Sequence, residues 1–339
     1  MSKKNSSASL RNGFKNSKDL SSIFLNLKDK LDHLNKKIYT VAVSGGPDSL
    51  ALVALTKAYS YTNKTKFHYV LVDHNIRLNS AKEAKQVKKL LKKNKINLKI
   101  IVNKKKITKN IQGLARHIRY EILSNYCRKH NVSTLITAHN LEDQVETFFI
   151  RLSRGSGLKG LSSMKFLSKI DNKVNLCRPL LDIKKKFLIK ISKNIFGKYF
   201  KDPSNKSLKY LRTKVRTLKK PLEKSGIDYD QIIKSINNLA LSKATLDEYL
   251  KKIFKTSIRK KSKEVLLNFK KFKKHNKEVK IALINESIKR IKNNYYNPRS
   301  KKVENLIINM EKRNFKKSTL GGCVFIIKKD NLCLKIEKT

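Results

Sequence analysis

The run Ile38–Val43 (IYTVAV) is short, apolar and rich in β-branched residues, and it ends directly in Ser44-Gly45-Gly46-Pro47-Asp48-Ser49. An apolar helical run follows from near Ser49. A strand this apolar is covered on both faces, which is the mark of a parallel strand inside an α/β sheet. Two adjacent glycines let a backbone approach a ligand closely. Successive N–H groups in such a turn form a nest for anions. Pro47 suits the start of a helix whose N-terminus favours phosphate oxygens. The hydroxyls of Ser44 and Ser49 add donors at either end. Asp48 would repel a phosphate unless a magnesium ion neutralised the pyrophosphate between them. The bland alternative is a strand-to-helix turn whose Asp and Ser only cap. The buried strand before it and the helix after it favour the phosphate turn. No G-x-x-x-x-G-K-[ST] occurs in the chain, so this is not a Walker loop.

The strand–helix alternation continues. Residues 67–72, Leu98–Val102 and 134–137 read as strands, and 80–94, 111–130 and Leu141–Leu152 as helices. This predicts a Rossmann-like α/β fold, a parallel sheet with helices on both faces. Ligands of such sheets bind outside the carboxyl ends of the strands. Residues 44–49, Asp73, His74 and His139 are therefore expected along one edge. A glycine-containing stretch at 154–161 follows, then an extended piece ending in Arg178-Pro179 and a helix near 184–196. A Lys-Asp-Pro-Ser-Asn turn comes at 201–205, and a basic helical stretch at 207–218 precedes Pro221. Beyond about 225, Lys-rich helical segments run to about 312. Two β-type runs within 318–337, around Lys-Lys-Asp-Asn, predict a hairpin. The expected organisation is an N-terminal extension (1–36), an α/β domain (37–224), and a smaller, mainly helical second domain ending in the hairpin (225–339).

Two further patterns carry chemistry. In Thr137-Ala-His139-Asn-Leu-Glu142-Asp143-Gln144-Val-Glu146-Thr147, the residues His139, Asp143 and Glu146 are spaced i, i+4, i+7. They share one face at the N-terminal end of a helix that begins near Asn140. Two carboxylates and an imidazole there can bind magnesium, a substrate amine, or both. Taken alone, ordinary capping by Asn140, with Glu142 and Asp143 complementing the helix dipole, is the stronger reading. Arg116 and Arg119, at i, i+3, share a face and can grip phosphate or substrate. A solvated face is an equal reading, and Arg151 and Arg154 have the same standing.

The charge is extreme: 80 Lys+Arg against 25 Asp+Glu, net +55. A protein so charged attracts polyanions, and phosphate backbones are the natural partner. Lys far outnumbers Arg, and Asn and Ile are abundant, so part of this bias reflects generic composition. Cys127, Cys177, Cys323 and Cys333 form no C-x-x-C pair. They read as buried or incidental thiols of a reducing compartment, not as a zinc or iron–sulfur site. No stretch of 18 or more apolar residues predicts a membrane span. The basic N-terminus reads as a frayed tail, with an organelle transit peptide as the alternative.

Taken together, the motifs resemble the tRNA(Ile)-lysidine synthase family of the PP-loop ATP pyrophosphatases. The resemblance is carried by VAVSGGPDS (41–49), VDHNIRLNS (72–80), ARHIRY (115–120), TAHNLEDQVET (137–147), RLSRGSGLKGL (151–161), RPLL (178–181) and DPSN (202–205). It covers roughly 35–225, and TLGGC (319–323) is similar to the family's substrate-binding domain. It implies an adenine-nucleotide alpha hydrolase-like fold with 37–224 as the catalytic domain and 225–339 as a tRNA-binding domain. It also implies a carbon–nitrogen ligase, with ATP and Mg2+ as cosubstrate and metal. The partners it implies are free L-lysine and the isoleucine tRNA with a CAU anticodon. On this resemblance, ATP adenylates the C2 oxygen of the wobble cytidine with release of pyrophosphate, and the lysine amine then attacks C2 and displaces AMP.

By the same resemblance Ser44, Gly45, Gly46, Pro47, Asp48 and Ser49 bind ATP. Asp48, Arg119, His139, Asp143 and Glu146 are the catalytic set, with Asp48 and Asp143 on magnesium through pyrophosphate. Arg151, Arg154, Arg212 and Arg216 contact tRNA. Where this chain has Glu142-Asp143 the family usually shows two aspartates, so one arm is longer here. The additional C-terminal β-rich domain of long members is not expected in 339 residues. A cytoplasmic bacterial setting is expected, with an organelle stroma as the alternative, no membrane partner, and a homodimer left open. The rival readings are a PP-loop tRNA thiolase of the 2-thiocytidine type and a basic RNA-binding protein without catalysis.

Overall fold

Tyr39, Val41 and Val43 of the first strand are sealed from solvent, and so is Thr40 on the opposite face. Burial on both faces requires a covering layer on each side, and the computed structural model supplies both. It describes residues 18–76, 79–105, 107, 111–200, 210–261, 264–292, 298, 300–312 and 314–337. The elements of the first part are, in chain order, α1 (Lys18–Leu34), β1 (Ile38–Val43), α2 (Pro47–Thr62), β2 (Lys66–Asp73), α3 (Ser80–Lys93), β3 (Leu98–Val102), α4 (Ile111–Lys129), β4 (Thr134–Ile136), α5 (Leu141–Leu152), α6 (Leu158–Leu161), β5 (Leu167–Lys169), β6 (Asn175–Cys177), α7 (Lys185–Phe196), α8 (Leu211–Thr217) and α9 (Lys219–Lys224). The predicted DPSN turn and the start of the 207–218 stretch lie outside the described residues, as do residues 1–17.

The sheet order is β3-β2-β1-β4-β6-β5. All neighbours are parallel except β5, which runs antiparallel to β6. The chain moves outward from β1 to β2 and β3, then returns to place β4 on the other side of β1. The order therefore reverses between β1 and β4, and that crevice is where ligands of open α/β sheets bind. Both sequence motifs emerge there: the SGGPDS turn leaves β1, and His139 with α5 follows β4.

α2 shows little amphipathicity because Leu50, Leu52, Val53 and Leu55 are all buried, with the sheet, α1 and α7 around it. Sequence patterning put residues 1–36 outside the α/β domain. Its described part, α1, buries Leu20, Ile23, Leu27 and Leu31 in the same core as β1 and α2. The spacing of those four residues is that of a core-facing stripe. Pro221, which follows the predicted basic stretch, lies inside a helix. It sits in the first turn of α9, where a missing N–H is tolerated.

The chain divides into two compact units at Leu239 and Ala240, inside the long helix α10 (Tyr229–Ser257). Before the division, Tyr229, Ile232 and Ile236 pack with Leu141 and Val145 of α5. The second unit contains β7 (Ile258–Lys260), β8 (Glu264–Asn268), α11 (Phe269–Lys274), α12 (Lys277–Ile291), α13 (Ser300–Met310), β9 (Lys317–Leu320), β10 (Cys323–Lys328) and β11 (Asn331–Ile336). Its strands form one antiparallel sheet ordered β7-β8-β11-β10-β9. The predicted hairpin is β10–β11, pairing Lys328 with Asn331 at its turn. The sheet is larger than that hairpin. β8 alternates with Val265 and Leu267 buried, a period-2 signal only five residues long inside a lysine-rich segment.

Candidate active site

The turn after β1 is built as its residue types demand. Gly45 has φ +82°, and a Cβ there would lie 2.6 Å from Val87 Cγ2 of α3, so only glycine fits. Gly46 is the N-cap of α2 and Pro47 opens the helix. Ser44 Oγ donates to Ser49 Oγ at 3.1 Å, and Ser49 Oγ donates to the Gly46 carbonyl at 3.0 Å. Ser49 is buried and its hydroxyl closes the turn internally. Ser192 of α7 donates to the Pro47 carbonyl at 2.7 Å, and the Phe200 N–H to the Gly45 carbonyl at 3.0 Å. The turn is thus held before any ligand arrives.

Asp48 faces α5. Its Oδ1 is buried without a hydrogen-bond partner, and its Oδ2 lies 3.7 Å from Lys185 Nζ. Burial pushes Asp48 up to about 6, helped by the Asp143 and Glu142 carboxylates and opposed by Lys185 and the Asn140 side chain. Those partners locate the first turn of α5 beside the SGGPDS turn. An orphaned carboxylate oxygen beside an anion nest fits a hard cation held otherwise by phosphate oxygens and water. Among the described residues no group of three His, Cys, Asp or Glu forms a metal cage, so most ligands of such an ion must come from elsewhere.

Asn140 caps α5 reciprocally. Its Oδ1 accepts the Asp143 N–H at 2.9 Å, and Asp143 Oδ2 accepts the Asn140 N–H at 3.1 Å. The capping reading of this segment therefore holds, and the site reading is compatible with it, because Asp143 keeps Oδ1 for Arg212 NH2 at 2.9 Å. Glu142 accepts the Lys185 N–H at 2.8 Å, so the longer arm tethers the N-terminus of α7 to α5. Glu146 is buried, with a side chain only 5% exposed. It accepts from Arg212 Nε at 2.6 Å and from Arg216 Nε at 2.5 Å. Arg212 bridges Asp143 and Glu146, which places these two carboxylates on one face as their spacing predicts.

His139 stands just before the cap, with Nδ1 2.9 Å from Thr137 Oγ1. Burial, then the positive Arg116, Arg178, Arg212 and Arg119, push its pKa well below the usual imidazole range. Arg119 donates from Nε to His74 Nε2 at 3.0 Å. Arg116 NH2 lies 3.3 Å from the Tyr120 hydroxyl, with its guanidinium over that ring.

The four arginines read as tRNA contacts divide. Arg154 is exposed. Arg151 donates to the Gly160 and Ser163 carbonyls at 2.6 and 3.1 Å, closing the glycine-rich turn. Arg212 and Arg216 are spent on Asp143 and Glu146. Three participants escaped sequence reasoning: Lys185, Arg178 and His74's grip on Arg119. Arg178 and His74 lay inside quoted motifs, but nothing local says what they touch. Lys185 carried no signal among so many lysines.

Residues 19–222 match the PP-loop domain family. A tRNA(Ile)-lysidine synthase of Orientia tsutsugamushi (strain Boryong) is 44% identical over 183 residues, 54% of this chain and 41% of that protein. The tRNA(Ile)-lysidine synthase of Wolbachia sp. subsp. Brugia malayi (strain TRS) is 32% identical over 310 residues, 90% of this chain and 72% of that one. That of Rickettsia akari (strain Hartford) is 32% identical over 316 residues, 88% and 69%. Among solved structures, a U34-tRNA thiolase from Methanococcus maripaludis with its [4Fe-4S] cluster superposes with TM-score 0.53 at 21% identity. It covers 70% of this chain and 78% of the thiolase, a likeness of fold.

Proposed function

The chain belongs to the tRNA(Ile)-lysidine synthase family of PP-loop proteins, and from that premise we propose that it joins free L-lysine to C2 of the wobble cytidine in the CAU-anticodon isoleucine tRNA. The single observation that carries the reading is the apposition of Asp48 to the first turn of α5, at the reversal point of the sheet. A phosphate-cradling turn and an acidic helix face meet where nucleotide and base must meet.

In this reading Ser44, Gly45, Gly46 and the N-terminus of α2 hold the ATP phosphates. Asp48, with its unpartnered Oδ1, would help hold a magnesium ion, which would supply charge neutralisation of the pyrophosphate. ATP transfers its adenylyl group to the C2 oxygen and pyrophosphate leaves. The ε-amine of lysine then forms the C2–N bond, AMP departs with the C2–O electrons, and the amine loses a proton. Asp143 and Glu146, the acids of the α5 face, would hold the lysine ammonium in exchange for the Arg212 and Arg216 contacts they make here, and would receive that proton. His139, kept neutral among arginines, can hydrogen-bond the base without adding charge. Arg119 offsets negative charge on the adenylate. Arg154 is the predicted tRNA contact left exposed, whereas Arg212 and Arg216 would reach phosphate only by leaving their carboxylates. We place the reaction in the cytoplasm, where tRNA and free lysine coexist.

The thiolase alternative asks for reactive sulfur. Cys127 and Cys177 are buried, and burial pushes the Cys177 thiol up to about 12, the opposite of an activated nucleophile. The deciding experiment incubates the full chain with radiolabelled lysine, ATP, magnesium and transcribed tRNAs. Label is expected only on the CAU-anticodon isoleucine tRNA and only with ATP and magnesium. Equal labelling of a CAU initiator tRNA would refute the specificity, and no labelling of either would refute the reaction.

A further inference from the structure

Arg119 and His74 come from different elements, α4 and the loop after β2, yet Arg119 Nε lies 3.0 Å from His74 Nε2. A guanidinium can only donate, so Nε2 must accept. The imidazole is therefore in the tautomer that carries its hydrogen on Nδ1. The backbone around His74 is itself pinned. Asp73 Oδ1 accepts the Asn75 N–H at 2.9 Å. Asn103, beyond β3, donates its N–H to the Asp73 carbonyl at 2.8 Å and its amide Nδ2 to the His74 carbonyl at 3.3 Å. Asn103 is in turn locked to Lys105 through both ends of its amide, at 2.7 and 3.0 Å. The carboxyl ends of β2 and β3 thus form a rigid mount, and His74 is the part of it that touches Arg119.

We propose that His74 is a positioning residue for the ligation: by accepting the Arg119 Nε–H it fixes the plane and reach of that guanidinium at the catalytic edge. The proposal rests on the functional reading above, which gives Arg119 its role, and it assigns a purpose to the His of VDHNIRLNS. An arginine on a surface helix loses much rotamer freedom when it must aim at a transition state, and a fixed acceptor at Nε removes that cost beforehand. Burial and the adjacent Arg119 charge push the imidazole down to about 4, against the pull of Asp73. The acceptor therefore stays unprotonated wherever tRNA and ATP are stable. His74 Nδ1 is buried and without a partner. Tolerating an unmet donor here is the kind of local cost that a positioning contact explains.

The test uses the full chain with His74→Ala, His74→Gln, Arg119→Ala and the His74→Ala/Arg119→Ala pair, each checked for an unchanged unfolding transition. His74→Ala is expected to lower kcat for lysine ligation about 10–100-fold with KM for ATP within about twofold. His74→Gln, which keeps an acceptor, is expected to recover most of the loss. The double variant should be no slower than Arg119→Ala alone. Additive losses, or a glutamine variant as slow as alanine, would overturn the proposal. A second readout needs no activity: the Arg119 Nε–H resonance should be slow to exchange in the wild type and in His74→Gln, and lost in His74→Ala. A wild type that ligates no lysine yet protects Arg119 Nε–H sinks the ligase reading and keeps the contact. A wild type whose Nε–H exchanges freely sinks the contact itself.

Discussion

Arg216 Nε sits 2.5 Å from Glu146 Oε1, and Arg216 NH2 lies 3.2 Å from Glu146 Oε2. With Arg212 on the same carboxylate, α8 is clasped onto α5 through one buried acid. Removing Arg216 leaves the buried Glu146 with Arg212 as its remaining cation, and under-compensating a buried charge costs more than the intact pair contributes. Arg216→Ala is expected to destabilise the first unit by about 1–3 kcal/mol, discounted because Arg216 is about one-third exposed. Adding Glu146→Gln to it should recover part of that loss. Urea unfolding measures both, and a single variant within error of wild type would show that the clasp contributes nothing.

Gly45 and Gly46 are adjacent but unequal. Alanine at Gly45 would need φ +82° and would press on Val87, so about 1–3 kcal/mol of stability and most ATP affinity should be lost together. Alanine at Gly46 meets only Ser44 Oγ, at 3.7 Å, and should leave the unfolding temperature nearly unchanged. Thermal unfolding of the two variants side by side separates the cases. Equal losses would contradict the backbone argument.

Asp48→Ala tests the metal–pyrophosphate role. AMP release is expected to fall by about a thousandfold or more, while tRNA affinity stays within about twofold, because phosphate contacts to tRNA are distributed over many basic residues. Labelled-ATP turnover and filter binding give the two numbers. Full turnover in the variant would remove Asp48 from the mechanism.

His74 also predicts a pH dependence of stability. Its ordinary value is 6.5 and its folded value about 4. Between those values the unfolded chain binds the proton and the folded chain does not. Stability present above pH 6.5 is therefore lost as pH falls toward 4. The unfolding temperature of the wild type should drop across that window by about 2–4 °C more than that of His74→Gln. Parallel curves would mean that the imidazole titrates normally.

Short-range reading of the chain was enough for the parallel sheet, the glycine-dependent turn, the hairpin and the common face of Asp143 and Glu146. All of these arise from short-range periodicity or backbone sterics, which neighbouring residues encode. It also placed His139 and the turn at one sheet edge, because strand ends in a parallel sheet must align. Long-range packing was needed for Glu142 to tether α7, for Arg212 and Arg216 to close on Glu146, for Arg119 to lean on His74, and for α1 to join the core. Each of those contacts joins segments far apart in the chain. In a chain with 80 Lys and Arg, charge complementarity alone cannot choose a partner, since almost any carboxylate has several cations it could meet. Packing makes the choice by fixing which few side chains are close enough.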